Sequence, residues 1–128
     1  MNFILDTHTL IWWSIDPIRL SPQARNLLDD ESNTLFLSII SVWEIQIKLQ
    51  IGKLSLQMPL SELIKDHQET NDLQLLPIEL THIYALTNLP NHHRDPFDRL
   101  LIAQAIVEQV PIVSIDSAFD GYAIQRLW

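Results

Sequence analysis

Two of this chain's short apolar runs end on an aspartate: Phe3-Ile4-Leu5 stops at Asp6, and Ile112-Val113-Ser114-Ile115 stops at Asp116. Apolar runs of this length, rich in branched side chains and bounded by polar residues, suit strands buried on both faces. Between them lie segments with helical spacing and helical punctuation. Buried strands alternating with helices imply a parallel sheet covered on both sides, because a parallel connection needs a crossover and the crossover helices take the two faces. The ligand site of such a sheet lies beyond the carboxyl ends of its strands. If the strands ending at Asp6 and Asp116 are neighbours, their carboxylates sit side by side at that rim.

The intervening signals are local. Strands are expected at 2–5, 34–38, 73–78, 112–115 and 123–127. A helix over 7–15 is closed by Asp16-Pro17, since the residue before proline is pushed out of the helical region. Ser21-Pro22 opens a second helix with an N-cap hydroxyl and a proline in the first turn. Ser41-Val42-Trp43-Glu44 has the form of a capping box, Ser41 at N-cap and Glu44 at N3, with Gly52 ending that helix in a left-handed cap. Further helices are expected at 61–70, 81–89 and 97–108, the last with Asp95 as N-cap, Pro96 at N1 and Asp98 at N3. No repeat or linker divides the chain, so residues 1–128 make one domain of a size that supports one core.

Composition enters as a set of exclusions. With no Cys there is no cysteine nucleophile and no thiolate metal site. No stretch approaches the about 18 apolar residues of a membrane-spanning helix, and Asp6 interrupts the N-terminus too early for a signal peptide. A cytoplasmic protein with no membrane partner is expected. The net charge of −8, from 16 acidic and 8 basic residues, argues against indiscriminate binding to a phosphate backbone. That argument weakens if acids cluster around cations. Glu44 and Asp98, placed in first turns of helices that follow strands, join Asp6 and Asp116 at the same rim. Converging carboxylates repel one another, and a hard divalent cation such as Mg²⁺ or Mn²⁺ relieves the repulsion while keeping open positions for phosphate oxygens. On this view Asp6→Asn or Asp116→Asn raises the melting temperature of the metal-free protein. Each acid also has a purely structural account as a helix cap. His92 and His93, in the polar loop before Asp95, read as solvated, and Trp12, Trp13 and Trp43 read as core or partner surface.

The motifs together resemble a known family. Phe3-Ile4-Leu5-Asp6-Thr7-His8-Thr9-Leu10-Ile11-Trp12-Trp13 is similar to the opening of PIN domains of the VapC-like toxin group. Ser41-Val42-Trp43-Glu44-Ile45 with Lys48 and Gly52-Lys53-Leu54, then the run from His93 through Asp98 to Ala105, then Val113-Ser114-Ile115-Asp116, resemble its later motifs in the same order. The resemblance implies a three-layer α/β/α sandwich with a central, mainly parallel sheet. It also implies a Mg²⁺- or Mn²⁺-dependent endoribonuclease, the toxin of a toxin–antitoxin pair, acting on RNA by hydrolysis. Apolar side chains near Trp12, Trp13 or Trp43 are expected to form the groove for the antitoxin or a homodimer face. Carried over motif by motif, Asp6, Glu44, Asp98 and Asp116 are the catalytic, metal-holding acids, with Thr7 and Arg99 as supporting groups. Asp95 competes with Asp98, and Asp120 with Asp116, for the corresponding roles.

Two rivals follow from the same residues. An aspartyl-phosphate enzyme also carries an Asp after its first strand, but His8 stands where a dehalogenase-type phosphatase has a second Asp, and no Lys follows Asp98. A PIN-fold module that binds a partner without cleaving keeps the acids and lacks turnover.

Overall fold

The computed structural model describes residues 1–128. Five parallel strands form one sheet in the order β3-β2-β1-β4-β5: β1 (Asn2–Leu5), β2 (Thr34–Ser38), β3 (Gln74–Leu76), β4 (Ile112–Val113) and β5 (Arg126–Leu127). Six helices connect them: α1 (Thr7–Ile15), α2 (Pro22–Asp29), α3 (Ile39–Gln50), α4 (Leu60–Thr70), α5 (Leu80–Ala85) and α6 (Pro96–Glu108). The strand order reverses direction between β1 and β4, which opens a crevice at their carboxyl ends.

Alternation along the strands builds two cores. Phe3, Leu5, Leu35, Leu37 and Val113 face one way and pack with Leu10, Leu20, Leu28, Ile45 and Ile64. Ile4 and Ile112 face the other way and pack with Leu100, Leu101, Ile102, Phe119 and Tyr122. The result is the expected α/β/α sandwich, and the sheet is wholly parallel.

Most helix boundaries follow their local signals. Asp6 caps α1, Ser21 caps α2 by accepting from the Ala24 N–H, and Asp95 caps α6 by accepting from the Phe97 N–H. The helix after β2 starts earlier than its sequence suggests. Ser38, the last residue of β2, caps α3 by accepting from the Ile40 N–H, so strand passes directly into helix. Ser41 and Glu44 are therefore interior positions, and the capping box does not form. The Ser41 hydroxyl is buried without a hydrogen-bond partner. At the other end, Gly52 has φ +75, while the N–H groups of Gly52 and Lys53 return to the carbonyls of Leu49 and Lys48. That is a Schellman motif, and it needs the left-handed residue that glycine supplies at no steric cost.

A buried histidine ties α5 to α6. His82 Nδ1 accepts from the Glu79 N–H at 3.0 Å, which leaves the ring proton on Nε2, 2.8 Å from Glu108 Oε1. Because His82 is fully buried, His82→Phe keeps the volume and strands both partners. It should cost about 2 kcal/mol, or roughly 7 °C in thermal denaturation. A shift below about 0.5 kcal/mol shows that the pair contributes nothing.

Candidate active site

The rim at the carboxyl ends of β1 and β4 collects all four acids singled out above. Asp6 follows β1 directly, and its backbone N–H donates to the Val113 carbonyl at 3.1 Å, which locks it to β4. Its carboxylate is nearly saturated. Oδ1 accepts from the Thr9 N–H at 2.8 Å and the Thr9 hydroxyl at 2.9 Å, and Oδ2 accepts from the Ser114 hydroxyl. Asp6 thus caps α1 and joins the two central strands at once. These contacts argue against one expectation. The buried donors around Asp6 need an acceptor, so Asp6→Asn should destabilise the metal-free fold instead of relieving it.

Glu44 projects from the second turn of α3 and is only 9% exposed. Oε1 accepts from the Thr7 hydroxyl at 2.7 Å, and Oε2 lies 3.2 Å from Lys48 Nζ, one turn along the same helix. With the capping box gone, no backbone N–H explains this buried acid. Thr7 and Lys48 hold it at the rim.

Asp98, in the first turn of α6, experiences the combined field. Burial and the neighbouring charges of Asp95, Glu44 and Asp6 push its carboxyl up to about 7, against an opposing pull from His93. Asp98 and Asp116 meet through a residue read from sequence as solvated. His93 Nε2 lies 3.1 Å from Asp98 Oδ2 and 3.4 Å from Asp116 Oδ2, with the ring stacked on Phe119 at 5.9 Å. The loop carrying His93 is fastened: the His93 N–H donates to the Tyr122 hydroxyl, and Arg99 donates to the carbonyls of Leu89, Pro90 and His93. Arg99 therefore positions this loop and makes no contact with the acids. His92, its neighbour, is exposed as expected.

The two competing acids have other partners, although the charge of Asp95 still acts on Asp98. Asp95 Oδ1 is spent on the α6 cap, and Asp120 forms a two-pronged pair with Arg126 at 2.9 and 3.0 Å, which holds its carboxyl below the usual range. Asp116 caps the short turn Ser117–Gly121 through Oδ1 and turns Oδ2 to His93. Three groups escaped the sequence reading: His93, Ser114 and Thr9. Ser114 had a signal, since its position two residues before Asp116 puts it at the end of the same strand. His93 had none within its own segment, because its neighbours arrive from α6 and from the segment after β4.

The donor set suits a divalent cation. Ligand atoms of His93, Asp98 and Asp116 all lie within 4.8 Å of one another, and carboxylate oxygens with one imidazole suit Mn²⁺ and tolerate Mg²⁺. Asp6 and Glu44 add further negative charge to the same pocket, as their effect on Asp98 shows.

A parallel sheet with this strand order and an acidic crevice at its rim defines a class. The chain belongs to the PIN domain family, whose sequence pattern matches residues 3–125. Among individual proteins, it is similar to ribonuclease VapC22 of Mycobacterium tuberculosis, 29% identical over 125 residues that cover 96% of this chain and 93% of that protein. Its fold matches the crystal structure of VapBC2 from Rickettsia felis bound to a DNA fragment from their promoter, with TM-score 0.75 and 16% identity, covering 99% of this chain and 98% of the other. FitAcB from Neisseria gonorrhoeae matches with TM-score 0.66 and 17% identity, over 98% of this chain and 96% of that one.

Proposed function

We propose that this protein is a Mg²⁺- or Mn²⁺-dependent endoribonuclease and the toxin of a toxin–antitoxin pair. The observation that carries the reading is the juxtaposition of His93, Asp98 and Asp116 beside Asp6 and Glu44, in a PIN domain similar along nearly its whole length to a VapC ribonuclease. Asp98, Asp116 and His93 would hold the cation, with Asp6 and Glu44 completing the negative pocket. When bound, the ion supplies Lewis acidity at a phosphodiester oxygen and activation of water for in-line hydrolysis. The chain's own residues do the rest. Ser114 and Thr9 fix the Asp6 carboxylate, Thr7 and Lys48 aim Glu44, and Arg99 and Tyr122 hold the loop that presents His93. Without a cation, Asp98 retains a proton near neutral pH and so lowers the charge packed into the pocket.

The structural relatives are toxin–antitoxin complexes, which supports an antitoxin as the protein partner here. The proposed substrate puts the site of action in the cytoplasm, and no helix is long and apolar enough to cross a membrane. A homodimer is supported by apolar side chains left in solvent on α3 and α5, the two helices that flank α6: Ile39 and Trp43 on the first, Leu80, Ile83 and Tyr84 on the second. Burying these would account for the patch. Light scattering after size exclusion should return twice the chain mass for wild type and the single-chain mass for Trp43→Glu/Tyr84→Glu. Equal masses for the two proteins would remove this face from consideration.

The test of the activity is incubation of total RNA with purified protein in Mg²⁺, Mn²⁺ or EDTA. Discrete fragments that need both metal and Asp98 support the reading. RNA left intact by antitoxin-free protein in either metal overturns it and leaves a binding module.

A further inference from the structure

One groove of this acidic protein is basic, and it lies next to the carboxylate pocket. It follows α1 to the turn beyond Ile15 and is walled on the other side by the end of α3. His8, Trp12, Arg19, Lys48 and Lys53 line it, together with apolar side chains and one acid, Asp16. The chain as a whole has 16 acids to 8 cations, so a groove with three Lys or Arg to one acid inverts the general balance. The contrast with another concavity is complete: that one is lined by Asp29, Asp30, Glu31, Glu69 and Asp72, with no Lys or Arg.

We propose that this groove is a phosphate-binding tract for single-stranded RNA, leading one flank of the substrate strand to the carboxylate pocket; the proposal rests on the ribonuclease reading above. Continuity is the first argument. Lys48 lines the groove and lies 3.2 Å from Glu44, while His8 adjoins Thr7, whose hydroxyl bonds Glu44. The groove therefore adjoins the pocket and follows α1, whose nine residues span about 14 Å. Charge is the second. A strand approaching the acids meets repulsion at the reacting phosphate, and cations beside the pocket offset it by holding the adjacent phosphates. Lys48 is paired with Glu44 and Arg19 with Asp16 at 3.3 Å, which leaves Lys53 as the unpaired cation. Lys53 is exposed, and Arg19, exposed as well, lies over the Trp12 ring at 5.4 Å. Shape is the third. Asp6 and Glu44 are 5% and 9% exposed, a recess that an unpaired backbone enters and a duplex does not.

The test is fluorescence anisotropy of a labelled single-stranded oligoribonucleotide in Mg²⁺, with Asp98→Asn as the parent so that the probe stays intact. Lys53→Glu and Arg19→Gln/Lys53→Glu replace exposed side chains outside the carboxylate pocket. Lys65→Glu, on α4 and outside the groove, is the control. The single groove variant should weaken binding about tenfold. The log–log salt slope should fall by about 0.7 per cation removed, with the control unchanged. In the wild-type background the groove variants should raise KM for cleavage more than they lower kcat. If the parent binds RNA and the groove variants bind as tightly with the same slope, the tract is elsewhere while the ribonuclease reading stands. If they keep RNA affinity and lose only the antitoxin, the groove is a protein site and the proposal is overturned. If wild type neither binds nor cleaves RNA, the reading beneath it fails first.

Discussion

Asp98→Asn should raise the melting temperature of the metal-free protein at pH 8 by roughly 7 °C, or about 2 kcal/mol. At the same pH it should abolish RNA cleavage. The reason is where the proton sits. In the folded protein the Asp98 carboxyl titrates at about 7, raised by burial and by Asp95, Glu44 and Asp6. The unfolded chain releases the same proton at the ordinary carboxylate value. The folded state therefore binds more protons across the interval between, and stability from this group is present below it and lost as pH rises through about 7. At pH 8 wild type carries a half-buried charge among like charges, and asparagine removes that charge at nearly constant shape. The advantage of the variant should shrink at pH 5, where wild-type Asp98 is already neutral. Divalent cation reverses the order. Wild type gains about 2.7 kcal/mol at a cation concentration 100-fold above Kd, and the variant gains little. Thermal denaturation at both pH values, with and without Mn²⁺, checks each part. A variant that melts below wild type at pH 8 without metal would make Asp98 a structural acid.

Asp6→Ala should do the opposite, lowering the melting temperature by roughly 10 °C, or about 3 kcal/mol. Two donors lose their acceptor in a buried setting, the Thr9 N–H and the Ser114 hydroxyl, while the Thr9 hydroxyl keeps the Val113 carbonyl at 2.9 Å. The cap of α1 goes with them. Asp6→Asn is milder, about 1 kcal/mol, because its carbonyl still serves Thr9 while its amide faces Ser114 without an acceptor for the serine proton. The two acids thus carry different burdens at one site. Asp98 is tolerated without metal by holding a proton, whereas Asp6 is built into the junction of β1, β4 and α1. A rise in stability for Asp6→Ala would contradict this division.

Local chemistry is what made the fold legible. β1, α1 and β2 coincide with their sequence signals because short apolar runs, Asp16-Pro17 and Ser21-Pro22 each act within a few residues. The strand alternation that builds two cores is likewise a period written along the chain. The start of α3 was not legible. The capping-box pattern puts the N-cap at Ser41, whereas Ser38 holds it three residues earlier, because the position depends on where β2 leaves the sheet. Its pairing with β1 and β3 runs to Leu37 and Ser38, so the cap falls there. The convergence of Asp6, Glu44, Asp98 and Asp116 was expected from the rim rule and the resemblance. The placement of His93 was not, since a histidine in a polar loop has no partner until Phe119, Tyr122 and Arg99 fold around it.

The measurement that bears most directly on the central claim is pulsed EPR of Mn²⁺ added to wild type, His93→Gln and Asp98→Asn/Asp116→Asn. The account predicts one bound Mn²⁺ in wild type with coupling to an imidazole nitrogen. His93→Gln should lose that coupling and bind about tenfold more weakly, and the double variant should bind none. Equal Mn²⁺ binding by all three proteins, with no nitrogen coupling in any, would contradict it.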